Sequence, residues 1–386
     1  MTQKPKTPKT PATPKTPKTP TTPSTPNTSN ATKSTQTTKS AKTPKRSEAP
    51  KTLSLALQGG GSHGAFTWGV IDKLLEDGRI RLDGICGTSA GAMNGIVCAY
   101  GFMQGGTEGA RAALHDFWQK VSSAGQLYSP VRGATDSGPL EHLLRTASYS
   151  MFDAMTRAFS PYQLNPLNFN PLRDVLEQVV DFAAFRSCRQ MRVFVCATNV
   201  RTGKPRVFRN HEMSCDAVLA SACLPYLFQA VEVDGEHYWD GGYIGNPAIF
   251  PLIYEAEALD LMVVHINPLT IGELPRTAVD ILDRVNEISF NSSLVREMRA
   301  IAFVQKMVAD GWLKDEYRDQ LRNMRMHAIR ADRDLGHLGI SSKLDPDWGF
   351  LTRLRDLGRA RAAEWLERHY ADLGTRSSVD IRADYL

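Results

Sequence analysis

Residues 1–50 contain no Val, Ile, Leu, Phe, Trp, Tyr or Cys. A segment with almost no apolar surface has little to bury against the entropy of ordering it, so it is expected to be a disordered tail. Ten of the 22 prolines fall there, in a Thr-Pro-Lys stutter that favours extended, polyproline-like backbone. Acid is equally scarce, with one Glu against nine Lys and one Arg, a net of +9. The whole chain is +5, so the remaining 336 residues come to about −4 and the basic pI belongs to the tail. Spaced positive charge of this kind attracts polyanions in a salt-sensitive way but names no partner, and no specific nucleic-acid site is expected. Also missing is any run of about 18 apolar residues, which excludes a membrane-spanning helix, and any apolar core of an N-terminal secretory signal. The expected location is therefore cytoplasmic, with peripheral contact at a membrane face. No two of the six cysteines make a C-x-x-C pair. Cys86, Cys196 and Cys223 lie in apolar or small-residue surroundings, so buried free thiols are expected and zinc is not. No metal or cofactor is implied.

The rest of the chain alternates strand and helix. Thr52–Gln58 reads as a buried strand, Gly64–Glu76 as a helix with Phe66, Val70, Leu74 and Leu75 on one face, and Gly84–Cys86 as the end of a second strand. A small-residue helix follows from Ser89, and together these are the opening of an α/β domain with parallel strands. Further strands are expected at Arg192–Thr198, Val207–Arg209 and Leu261–Ile266, with an Asp-Gly hairpin in Val231–Tyr238. Asn170 and Pro171 cap a helix predicted over Leu172–Ala184. Thr277 and Asp280 open a long helix whose Ile281, Leu282, Val285, Ile288, Val295 and Met298 recur at helical spacing. Residues 148–172, rich in Phe, Tyr, Met and Leu between prolines, read either as a lid or lipid-facing surface or as plain core cover.

The glycine run between the first strand and helix raises the functional question. Gly59, Gly61 and Gly64 have the G-x-G-x-x-G spacing of a dinucleotide site, and equally that of a loop whose amides hold an oxyanion. A dinucleotide fold needs an acid at the end of the second strand, and Asp83 precedes that strand's apolar residues. In its place stands Gly87-Thr88-Ser89-Ala90-Gly91, a G-x-S-x-G nucleophile elbow between an apolar strand and a helix. Ser89 is thus the candidate nucleophile, at a helix N-terminus that favours developing negative charge. A proton acceptor is also required, and Asp240, ahead of Gly241 and Gly242, supplies a carboxylate on a turn.

These three blocks in this order, with Ala220–Gly235 upstream of the last, resemble the patatin-like phospholipases over roughly Leu53 to Leu252. The resemblance implies a three-layer α/β/α fold with a mainly parallel sheet. It implies cleavage of carboxylic esters of lipids through an acyl-Ser89 intermediate, with Asp240 as base and no catalytic histidine. Gly59, Gly60, Gly61, Ser62, His63 and Gly64 become the oxyanion and substrate loop, and Gly87, Gly91, Gly241 and Gly242 support the two turns. Such loops often carry Arg or Lys where this chain has His63, so His63 is read as either structural or part of the site. The implied partner is a lipid or other acyl-ester substrate. The expected division is a tail over 1–50, a catalytic domain over 51–310 and a helical extension over 311–386 packed on it. A Ser-His-Asp triad would instead recruit a histidine beyond the acid, for which His265 is the candidate, since His237 precedes Asp240 within a hairpin. A binding protein that kept the fold without turnover is the alternative function.

Overall fold

A computed structural model describes residues 49–128, 155, 156, 158–312, 314, 317, 321–336 and 338–386, apart from the side chains of 126–128, 279 and 340. Residues 1–48 of the basic tail, and residues 148–154 and 157 of the aromatic segment, lie outside the described residues. Eight strands make one mixed sheet: β1 Lys51–Leu57, β2 Ile80–Gly87, β3 Arg192–Asn199, β4 Pro205–Phe208, β5 Val231–Val233, β6 Glu236–Asp240, β7 Asp260–His265 and β8 Arg325–Arg330. They pair in the order β5-β6-β3-β2-β1-β7-β8, with β4 also on β3. From β3 to β8 this path is parallel, while β4 and β6 run antiparallel to β3 and β5 antiparallel to β6.

The main helices are α1 Gly64–Asp77, α2 Ala90–Tyr128, α3 Pro171–Val179, α4 Cys215–Ser221, α5 Phe250–Glu255, α6 Ala278–Ala309, α7 Trp348–His369 and α8 Ile381–Tyr385. Period-2 alternation sends side chains of each central strand to opposite faces, and both faces are covered. Leu55, Leu57, Met262 and Val264 join a core with α1, α2 and α7. Ala56, Leu261 and Val263 join a second core with α5, α6 and α8. Helices therefore lie on both sides of the sheet, the three-layer arrangement expected.

Two local differences from expectation, and one break within a helix, have physical reasons. The helix expected over 172–184 ends at Val179, because Val180 and Asp181 are extended and the Asp181 carboxylate caps a new short turn at Ala184. Helix α2 breaks at Gly105–Gly106, where φ reaches +60° at the second glycine. Residues after 310 read as largely helical, yet Arg325–Arg330 forms an edge strand beside β7. Its polar positions find partners across the sheet: Arg325 and His327 both bond Asp260.

Candidate active site

One edge of β3 brings two distant turns together. Val195 of β3 pairs with Gly87 of β2 and with Phe208 of β4, while Ala197 pairs with Arg206 of β4 and with Asp240 of β6. A strand has only two edges and β4 occupies one, so β2 and β6 meet end to end along the other. Both chains leave the sheet there, the first into Thr88–Ser89 and the second into Gly241–Gly242.

Ser89 has φ +55°, a left-handed conformation that costs an L-residue about 1–2 kcal/mol. That strain aims the side chain off the end of β2, directly before the N-terminus of α2. Two hydroxyls hold the turn. The Ser89 N–H donates to Ser221 Oγ (2.9 Å), which donates to the Cys196 carbonyl of β3 (2.6 Å). Thr88 Oγ1 donates to the Gly245 carbonyl (2.6 Å), tying the elbow to the segment after Asp240.

Asp240 is 1% exposed. Its N–H donates to the Cys223 carbonyl (2.8 Å), and Thr198 Oγ1 donates to its carbonyl (2.8 Å). Burial pushes the carboxyl up to about 6, against the hydrogen bond it accepts from Gly242 N–H (2.7 Å) and the lowering influence of the neighbouring Ser89 side chain. A hydroxyl beside a carboxyl whose pKa lies near neutrality is an arrangement in which proton transfer between them is feasible.

The glycine loop comes within contact of this pair. A Cβ on Gly59 would lie 2.7 Å from Ser89 Cβ, so only glycine allows that approach. Gly61 has φ +57° and faces the Lys343 carbonyl, where a Cβ would sit 2.2 Å away. The Gly59 N–H is taken by Asn246 Oδ1 (2.7 Å) and the His63 N–H by the Gly60 carbonyl (3.2 Å). Among the described residues no protein group accepts from the N–H of Gly60, Gly61 or Ser62. Gly64 packs on Ala90 at the start of α2, and Asn94 ties the two helices by donating to the Gly64 carbonyl (2.9 Å). Gly87 packs on Gly91 within the elbow, Gly241 on the Cys196 carbonyl, and Gly242 on the Phe290 ring of α6.

The histidines stand apart. His63 is buried, with Nε2 2.7 Å from Ser342 Oγ and its ring edge-on to Phe350. His265 is fully buried, hydrogen-bonded through Nε2 to the Tyr385 hydroxyl (2.7 Å), and burial pushes its pKa down to about 3. His237 lies on β6 beside Glu232. The six cysteines are free and buried.

Sequence reasoning did not find the polar collar that holds the glycine loop from below. Gln58 Oε1 accepts from the Ile266 and Asn267 amides (2.9 and 3.0 Å), and its Nε2 donates to Asn291 Oδ1 of α6 (2.9 Å). Asn267 Nδ2 donates to the Gly59 carbonyl (3.0 Å), and Lys343 Nζ to Asn267 Oδ1 (2.8 Å). The only available signal was a lone Gln at the end of an apolar strand. Ser221 was equally hidden, one small residue among others in the Ala220–Gly235 block.

A family model described as patatin-like phospholipase matches residues 55–253, from β1 through α5, which takes in both turns and the glycine loop. This chain belongs to the patatin-like phospholipase family. Among solved structures, the patatin-like chain is similar to VipD from Legionella pneumophila, at 16% identity and a TM-score of 0.33, over 80% of this chain and 67% of that one. It is also similar to ExoU, crystallised with SpcU of the Pseudomonas aeruginosa type III secretion system, at 15% identity and a TM-score of 0.27, over 83% of this chain. The chain spans only 53% of that ExoU chain. No curated protein matches it. The family assignment carries lipid acyl hydrolysis as the general activity, and no described helix is long and apolar enough to cross a membrane.

Proposed function

We propose that the chain is a serine acyl hydrolase that cleaves carboxylic esters of lipids, with Ser89 as nucleophile and Asp240 as its only base. The Ser89 side chain, on its strained turn beside the buried Asp240 carboxyl, carries this reading. Ser89 Oγ attacks the ester carbonyl as its proton passes to Asp240. The carbonyl oxygen becomes an oxyanion facing the amides of Gly60, Gly61 and Ser62 and the positive end of α2. Collapse breaks the bond to the alcohol, which leaves with the proton from Asp240, and Ser89 is acylated. Water then gives a proton to Asp240 while its oxygen attacks the acyl carbon. The second collapse returns that proton to Ser89 and releases the carboxylic acid.

No third residue is needed because Asp240 is buried enough to hold a proton near neutral pH, the task a histidine performs in a triad. The division at residue 310 and the tail's attraction to polyanions belong to the same proposal. Labelling by a fluorophosphonate, which phosphonylates an activated serine, tests it. Labelling is expected in wild type and His265→Ala and lost in Ser89→Ala and Asp240→Asn. Loss in His265→Ala with folding intact would overturn the two-residue mechanism.

A further inference from the structure

The peptide unit between Gly59 and Gly60 presents a polar group at each end. Its N–H, on Gly60, is one of the amides assigned to the oxyanion, and among the described residues no protein group accepts from it. Its carbonyl, on Gly59, lies anti to that N–H and accepts from Asn267 Nδ2 (3.0 Å). A hydrogen bond received at a carbonyl draws electron density across the conjugated peptide and makes its N–H the stronger donor.

Asn267 is itself held in one orientation. It is buried, and its side-chain amide sits between an ammonium and a carbonyl. Lys343 Nζ can only donate and the Gly59 carbonyl can only accept. Oδ1 must therefore face Lys343 (2.8 Å) and Nδ2 must face Gly59. Gln58 Oε1 fixes the backbone of Asn267 by accepting from its N–H (3.0 Å). Burial pushes the Lys343 ammonium below the usual lysine range, while the carboxylates of Glu287 and Asp283 on α6 favour its charged form. The same residue braces the loop sterically. Lys343 lies in the short turn Ile340–Leu344, and its carbonyl abuts Gly61, where a Cβ would sit 2.2 Å away. A Cβ on Gly60 would meet Ile266, the neighbour of Asn267, at 2.8 Å. Asn267 and Lys343 both lie beyond residue 253, where the family match ends.

We propose that Lys343 is a positioning residue for ester cleavage, acting through Asn267 to orient and strengthen the Gly60 N–H as an oxyanion donor. The proposal rests on the reading of Ser89 and Asp240 as an acyl hydrolase. A donor polarised from behind by an ammonium gains most when the oxygen before it carries a full negative charge. That charge exists on the tetrahedral intermediate and not on the bound ester. Lys343 should therefore act on kcat and leave KM nearly unchanged.

The test is hydrolysis of p-nitrophenyl butyrate by the full chain, as wild type and Lys343→Met, with the folded fraction measured by circular dichroism. Lys343→Met keeps the length of the stem and loses both charge and donor. It is expected to lower kcat about tenfold, with KM within about twofold of wild type. A second measurement reports on the oxyanion itself. An alkyl trifluoromethyl ketone adds to Ser89 Oγ as a hemiketal, whose ionisation is followed by fluorine NMR. The hemiketal pKa should rise by about one unit in Lys343→Met, the same tenfold loss of oxyanion stabilisation. An unchanged hemiketal pKa, or a fall in kcat that only tracks the folded fraction, overturns the proposal and leaves Lys343 a purely structural member of the collar. Should Lys343→Met fail to fold, Lys343→Gln, which keeps a neutral donor, is expected to raise the hemiketal pKa by less, and no rise overturns the proposal. A wild type that neither hydrolyses the ester nor forms the hemiketal sinks the acyl-hydrolase reading and this proposal with it. An active wild type whose kcat and hemiketal pKa are unmoved by Lys343→Met sinks this proposal alone.

Discussion

The dyad and the collar beneath the glycine loop are built on opposite principles. At the proposed dyad, two residues are assigned the chemistry, each on a tight turn of a glycine-containing motif, with the acid excluded from water. In the collar, Gln58, Asn246, Asn267, Asn291 and Lys343 bring amides and one ammonium from five places in the chain, and each serves to satisfy another. Removing one member of the dyad should cost rate and little stability. Removing one member of the collar should cost stability first, because the partner left behind is buried and unpaired. A site of this kind separates what reacts from what holds.

The sharpest way to break that contrast is at the dyad. Ser89→Ala and Asp240→Asn should each lower ester hydrolysis by about ten-thousandfold, measured as kcat, with the fold intact by circular dichroism. If either retains more than a few per cent of wild-type rate, the division of labour is wrong. Next in size is Gln58→Leu, which strands the Ile266 and Asn267 amides and should cost about 2–4 kcal/mol in denaturant unfolding. Ser221→Ala tests the middle ground, since Ser221 touches neither substrate nor acid but accepts from the Ser89 amide. It should lower kcat by about ten- to hundredfold with KM nearly unchanged, and Ser221→Thr should restore part of the loss.

The pH behaviour sharpens the comparison further. The rate should rise with pH through about 6 as Asp240 ionises, a limb measurable in kcat/KM. Stability should run the other way at this residue. Its folded pKa is above the unfolded 3.8, so the stabilisation from its neutral form is complete below 3.8 and lost as pH rises to about 6. Asp240→Asn should remove that fall. The smallest effect is expected at His265, whose folded pKa lies below 6.5, so its contribution is present above 6.5 and fades as pH falls toward 3. His265→Phe should change the rate by less than about twofold, read from the same ester assay.

The difference between the two regions also explains what was legible in the sequence. The β1–α1–β2–α2 order, the elbow at Ser89 and the Asp240 turn were readable because tight turns at strand ends carry glycine within their motifs. The collar was not, because a buried Gln or Asn leaves no periodic or compositional trace and its partners lie far along the chain. Strand β8 was missed because Arg325, His327 and Arg330 look like a solvated surface until Asp260 supplies a partner for two of them. The apolar stripe of α6 was read correctly as helical, but spacing cannot say which way a stripe faces. Met298 is buried in the core behind the sheet, whereas Ile281 to Ile288, on the same helix, are exposed.

Ser89 and Asp240 are separated by 150 intervening residues, yet both turns are anchored on β3, at Val195 and Ala197. At about 3.3 Å per strand residue, the anchors lie about 7 Å apart along one stiff ruler. Helices may shift or loops lengthen anywhere between them without stretching that ruler. The gap between the Ser89 and Asp240 turns is therefore a property of two peptide units, insulated mechanically from the rest of a large domain.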